Sequence, residues 1–245
     1  MGKSLKEKIA ELKSKSSIIK SKAEKGNKFA LFKLGWIYFD DWNDVKAKEN
    51  WLLAAKKGYG KAWHTLGIVH HNAEGSFKRD FKSALKYFHE SIKIKKNHKL
   101  RADSFHCLAS MYDSGEGTKK DIKKAVKYFD IASKLGFINS TMILGLAYFY
   151  GKSLIKKNFK KSFKYFYISA NKGDAMSQFY VGMMYGCGYG VKVNLIKSKK
   201  YLKMSSKNLS LKNLWGDEKY FNKFKKVENK FALKANEILR RFGHL

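Results

Sequence analysis

Five times along this 245-residue chain an aliphatic residue is followed by a small one: Leu34–Gly35, Leu66–Gly67, Leu108–Ala109, Leu144–Gly145 and Val181–Gly182, at spacings of 32 to 42 residues. Four positions before each lies another small residue: Ala30, Ala62, Ser104, Ser140 or Ser177. Four positions after lies a ring: Tyr38, His70, Tyr112, Tyr148 or Tyr185. Offsets of four share one helical face, so each occurrence reads as a helix whose small-residue face lets a neighbour approach closely. A unit repeated at this period cannot cover its apolar face alone and has to stack on its copies.

A second helix follows each first one: "VKAKENWLLAAKKG", "FKSALKYFHESIK", "IKKAVKYFDIASKLG", "FKKSFKYFYISANKG" and "LIKSKKYLKMSSKN". Each carries a bulky pair, Trp51/Leu52, Tyr87/Phe88, Tyr128/Phe129, Tyr165/Phe166 or Tyr201/Leu202. Asp80, Asp121, Asn158 and Asn194 stand where N-caps are needed, and Gly58, Gly136 and Gly173 where a left-handed residue ends a helix. The chain has no proline. The expected class is all-α.

At these residues the pattern A-x-x-x-L-G-x-x-Y-x-x-G-x-G, then D-x-x-K-A-x-x-Y-F-x-x-A-x-x-x-G, resembles the Sel-one-like repeat, a cousin of the tetratricopeptide repeat, over about residues 8–209. Repeat three carries nearly all of it. Repeat two departs at His70 and at "IKIKKNHKLRA", and repeat five has Ser205 and Ser206 in place of an alanine pair. The resemblance implies a right-handed α-solenoid of about five helix-turn-helix repeats, at 27–58, 59–98, 99–136, 137–173 and 174–209. Residues 1–26, with Leu5, Ile9, Leu12 and Ile19 on one face, read as an N-terminal capping helix. Residues 210–245 hold a C-terminal one, with a stripe of Phe221, Phe224, Phe231, Ala235, Ile238 and Phe242. That stripe suits either docking on repeat five or binding another chain.

The Gly-x-Gly of "SGEGTKK" (Ser114–Lys120) imitates a phosphate loop. Gly75, Gly151 and Gly186/Gly188/Gly190 recur at matching places, so the loop is a hinge of the repeat. "GKS" at 151–153 lacks the upstream glycine spacing of a P-loop.

Ser17, Ser83, Ser153 and Ser169 are each followed three residues on by lysine. No Ser-Asp-Asn or Lys-Thr-Gly accompanies them, so this is not read as an enzyme. Asp103 precedes His106 by one helical turn and His64 holds the matching repeat position, a spacing that allows a weak metal site. The same position holds Phe32, Met142 and Phe179, so ring packing is expected there instead, and no metal, cofactor or small-molecule substrate is assigned. Cys107 and Cys187 are too few for a disulfide framework.

The formal net charge is +32, which suggests nucleic acid, an anionic membrane or an acidic protein as partner. Only Arg79, Arg101, Arg240 and Arg241 are arginines, and arginine is the residue suited to bidentate phosphate and base contacts. An AT-rich genome would also supply lysine. The N-terminus lacks a signal-peptide core and no stretch reaches 18 uncharged apolar residues, so a cytoplasmic location is expected, with export by a dedicated secretion system left open.

Charge is segregated. Positions −5, −2, +2 and +5 of the first helices face away from the small-residue stripe and, in tetratricopeptide-like folds, line a concave groove. They give Phe29, Phe32, Trp36 and Phe39; His64, Ile68 and His71; Asp103, His106, Ser110 and Asp113; Met142, Leu146 and Phe149; and Met176, Phe179 and Met183. Repeat-to-repeat packing is expected to use about half of them. The expected function is a non-catalytic adaptor or scaffold that grips a peptide or helix of another protein there. The alternatives are a basic convex face for nucleic acid or an anionic membrane, and a bacterial effector-type host-interaction protein.

Overall fold

The computed structural model describes residues 5–151 and 155–209. The described residues form eleven α-helices and no strand: α1 (Leu5–Glu24), α2 (Lys28–Asp40), α3 (Asp44–Lys56), α4 (Gly60–Asn72), α5 (Phe81–Lys93), α6 (His98–Ser114), α7 (Ile122–Lys134), α8 (Ile138–Tyr150), α9 (Phe159–Asn171), α10 (Ala175–Cys187) and α11 (Leu195–Leu209). The chain divides into two compact units, residues 1–135 and 136–245. In the first, α2 pairs with α3, α4 with α5 and α6 with α7; in the second, α8 pairs with α9 and α10 with α11. The C-terminal stripe of Phe221 to Phe242 lies outside the described residues, as does most of "GKS".

Within a pair, the small residue makes room for a ring. A Cβ at Gly67 would stand 2.6 Å from the Phe88 ring, and one at Gly145 would stand 2.7 Å from Phe166. Gly35 gives the same room to the Trp51 indole, and Trp51, Phe88 and Phe166 are fully buried. The Trp51 indole N–H donates to the Phe32 carbonyl at 3.2 Å, so even this buried polar group is satisfied.

The expected caps form. The side chains of Asp80, Asp121, Asn158 and Asn194 accept the backbone N–H of Ser83, Lys124, Lys161 and Lys197 at 2.9–3.0 Å. Asn43, not expected as a cap, does the same for Lys46 at 3.2 Å. Repeat two lacks a terminal glycine because Ile94 leaves α5 in an extended conformation. "IKIKKNHKLRA" becomes a short turn followed by a 17-residue α6, and Arg101 Nε donates to the Ile92 carbonyl at 3.2 Å. On the N-terminal side, α1 packs on α2, and Ile19 and Ala23 join the core of the first unit.

The hinges have a second duty. Gly117 adopts φ +70°, and a Cβ there would run into the carbonyl of Phe81, the first residue of α5. In the second unit Gly190, φ +71°, sits equally close to the Phe159 carbonyl at the start of α9. Each hinge therefore lies directly on the first turn of the preceding repeat's second helix.

Candidate protein-binding face

In the first unit, α2 builds an aromatic row. Phe29 is 54% exposed and Trp36 36% exposed, whereas Phe32 between them is buried. Their rings are fixed by edge contacts: Phe29 with Tyr59 at 5.0 Å, Phe32 with Trp36 at 6.3 Å, and Trp36 with Trp51 at 5.1 Å. The Lys28 and Lys61 ammonium groups stand 5.7 and 5.6 Å from the Phe29 and Phe32 rings. The result is two exposed anchors on a rigid base with a cationic rim. Phe39 has turned under the hinge, stacked on Phe77 at 6.3 Å.

Of the first-unit polar positions, His64 and Asp103 pair with each other. His64 places Nε2 3.2 Å from the Asp103 carboxylate and Nδ1 3.0 Å from Ser104 Oγ. His71 Nε2 lies 3.0 Å from Glu116, and its ring meets Phe81 edge-on at 5.4 Å. His106 lies against Phe129 at 5.6 Å. Asp103 thus reaches back to the neighbouring repeat's His64, which ties α4 to α6. Ile68, Ser110 and Asp113 are half-buried.

In the second unit Met142, Phe149, Phe179 and Met183 are buried in the unit's own core, with Leu146 and Met176 partly buried against it. Phe149 is enclosed by Tyr150, Phe159, Phe166, Tyr180 and Tyr189 at 5.0–6.5 Å.

The structure adds a feature whose role sequence reasoning missed. In repeats two to five the ring four positions after the aliphatic residue meets the first member of the bulky pair, stacked in His70–Tyr87, Tyr148–Tyr165 and Tyr185–Tyr201 and edge-on in Tyr112–Tyr128, at 5.5–6.1 Å. A lysine at the third position of the second helix roofs it. Lys46 covers Tyr38, Lys124 covers Tyr112, Lys161 covers Tyr148 and Lys197 covers Tyr185, at 4.4–5.4 Å. Repeat two changes both partners, with His70 in place of the tyrosine and Ser83 in place of the lysine. A protonated imidazole beneath an ammonium group would be repelled, so the two replacements are physically consistent.

Two of the Ser-Lys pairs have a member engaged elsewhere: Ser83 Oγ donates to Asp80 at 2.6 Å, and Lys172 reaches the Gly136 carbonyl at 3.4 Å, while Ser153 lies outside the described residues. Burial, then the Asp103 charge, pushes the Cys107 thiol up to about 12, so it holds no thiolate at neutral pH.

Burial lowers the pKa of His70, His89 and His106; Lys48 adds to this at His70, and Lys124 and Lys93 at His89. A histidine whose folded pKa is depressed binds its proton more readily in the unfolded chain. Its stabilising contribution is therefore complete above the unfolded value near 6.5 and is lost as pH falls below it. The melting temperature should be flat from about pH 7.5 upward and decline from about pH 6.5 to 5. The slope of that decline should shrink in His70→Tyr with Ser83→Lys, measured by thermal circular dichroism.

The Sel1 repeat matches five stretches of the chain, 28–59, 66–93, 108–137, 140–174 and 175–208. The chain belongs to the Sel1 repeat family. Among solved structures, it resembles the Sel1 repeat protein from Oxalobacter formigenes, with 22% identity over 81% of this chain and 83% of that one, at a TM-score of 0.66. It also resembles c5321, a protective antigen present in uropathogenic Escherichia coli strains displaying an SLR fold. There the identity is 23%, the coverage is 78% of this chain and 48% of that one, and the TM-score is 0.48. No curated protein matches the sequence. Sel1 repeats generally mediate protein–protein interaction, and the family is typically a non-catalytic scaffold. Among the described residues of this Sel1 repeat protein no helix is long and apolar enough to cross a membrane.

Proposed function

We propose that this protein is a non-catalytic adaptor that binds a peptide or helix of another protein along the first helices of its first unit, with α2 as the principal contact. The observation that carries this reading is the exposed pair Phe29 and Trp36, held in place by Tyr59, Phe32 and Trp51. Rigid, partly exposed aromatics lose little entropy on binding and are the common anchors of interfaces. Lys28 and Lys61 favour an acidic flank on the partner's apolar segment.

A partner recovered by affinity capture should bind Phe29→Ala and Trp36→Ala more than about fivefold more weakly each by calorimetry, the loss typical of a buried anchor. Replacing Lys156 and Lys160 by glutamine should change little beyond the association rate. If both aromatic variants stay folded and keep full affinity while the lysine variant loses it, the first-helix reading fails.

A further inference from the structure

The second unit carries slightly more net positive charge than the longer first unit. Between residues 136 and 209 the only acidic residue is Asp174 and there is no arginine. On α11, Tyr201, Ser198 and Ser205 are buried, while Ile196, Lys199, Lys200 and Lys203 are exposed at offsets of three, four and seven. These offsets make a single outward stripe. Ile196 opens the stripe at 85% exposure, and Val193, one residue before the Asn194 cap, is 61% exposed. Lys192 and Lys197 flank them.

We infer that this tip of α11 docks on an anionic lipid surface, with Val193 and Ile196 entering the acyl boundary and the surrounding lysines meeting the headgroups. The charge is complementary to such a surface, and each lysine held near an anionic bilayer strengthens binding about fivefold. Two protruding aliphatic side chains gain nothing from phosphates in water; they gain from an apolar layer just beneath the phosphates. Nucleic acid would be served by arginine forks and flat aromatic platforms, and the tip has neither. Beside α11, Tyr167 on α9 lies 6.1 Å from the buried Tyr201. Its hydroxyl is held below the usual range by hydrogen bonds with Asn171 and Tyr201 and then by the fields of Lys197 and Lys200.

The test uses the full chain and flotation with vesicles of phosphatidylcholine alone or with 30% phosphatidylserine, at about 0.1 M salt. The protein should float only with the anionic vesicles. Val193→Ser with Ile196→Ser should weaken this at least tenfold, and Lys192→Gln, Lys199→Gln and Lys200→Gln together about a hundredfold. Lys197 is left in place because it roofs Tyr185. Circular dichroism should be unchanged in both variants, since every altered side chain is exposed. Three results would overturn the proposal. One is no flotation with anionic vesicles. Another is flotation indifferent to the serine pair, which would be charge attraction alone. The third is a serine pair that lowers the melting temperature but not flotation, which would make the patch a seat for residues 210–245.

Discussion

Replacing Gly117 by alanine should destabilise the protein by about 3 kcal/mol, whereas the same change at Gly58 should cost about 1 kcal/mol. Both glycines have positive φ, +70° and +80°, so both substitutions incur the left-handed penalty of about 1–2 kcal/mol for a residue with a Cβ. The difference lies in what the methyl meets. At Gly58 nothing stands within 4 Å. At Gly117 it meets the carbonyl of Phe81, a backbone atom fixed at the start of α5. No rotamer change relieves that clash, so the hinge must lift from the preceding repeat, an overpacking cost of about 1–3 kcal/mol. Urea denaturation of the two variants would measure the gap. Equal losses would mean that the hinge glycine is kept for its dihedral angles alone.

The helix pairs were legible because their determinants are local. A small residue every fourth position, a cap and a terminal glycine fix where each helix begins, ends and meets its partner. The lysine roof was visible only as a D-x-x-K spacing. Its meaning depends on the ring of the preceding helix, which reaches the lysine across a hinge whose path the spacing does not define. Repeat two shows this best: His70 read as a departure, and Ser83 carried no signal until the two were seen to occupy partner positions. The candidate face was legible only in part for a similar reason. Offsets of two and five residues say which side of a helix a residue takes, but not what lies beside it. At −5, Phe29 remains exposed. At +5, His71 and Phe149 lie against Phe81 and Phe159 at the start of their own second helices, and Phe39 against Phe77 of the next repeat's hinge.

That geometry makes Phe149→Ala a stability variant. It should lower the unfolding free energy by about 3–5 kcal/mol, as removal of a buried phenylalanine does. The ring is 6% exposed and touches five others, so truncation leaves a void lined by Phe159, Phe166 and Tyr180, which their own packing keeps from collapsing. Trp36→Ala removes a ring that already faces solvent over 36% of its surface. It should cost roughly 1–2 kcal/mol through the edge contacts with Phe32 and Trp51. The expected order, Phe149 well above Trp36 in denaturation and Trp36 well above Phe149 in its effect on the affinity of folded protein, separates core from contact surface. Melting curves alone test the first half. A Phe149→Ala variant as stable as Trp36→Ala would place that ring on the surface and return it to the binding face.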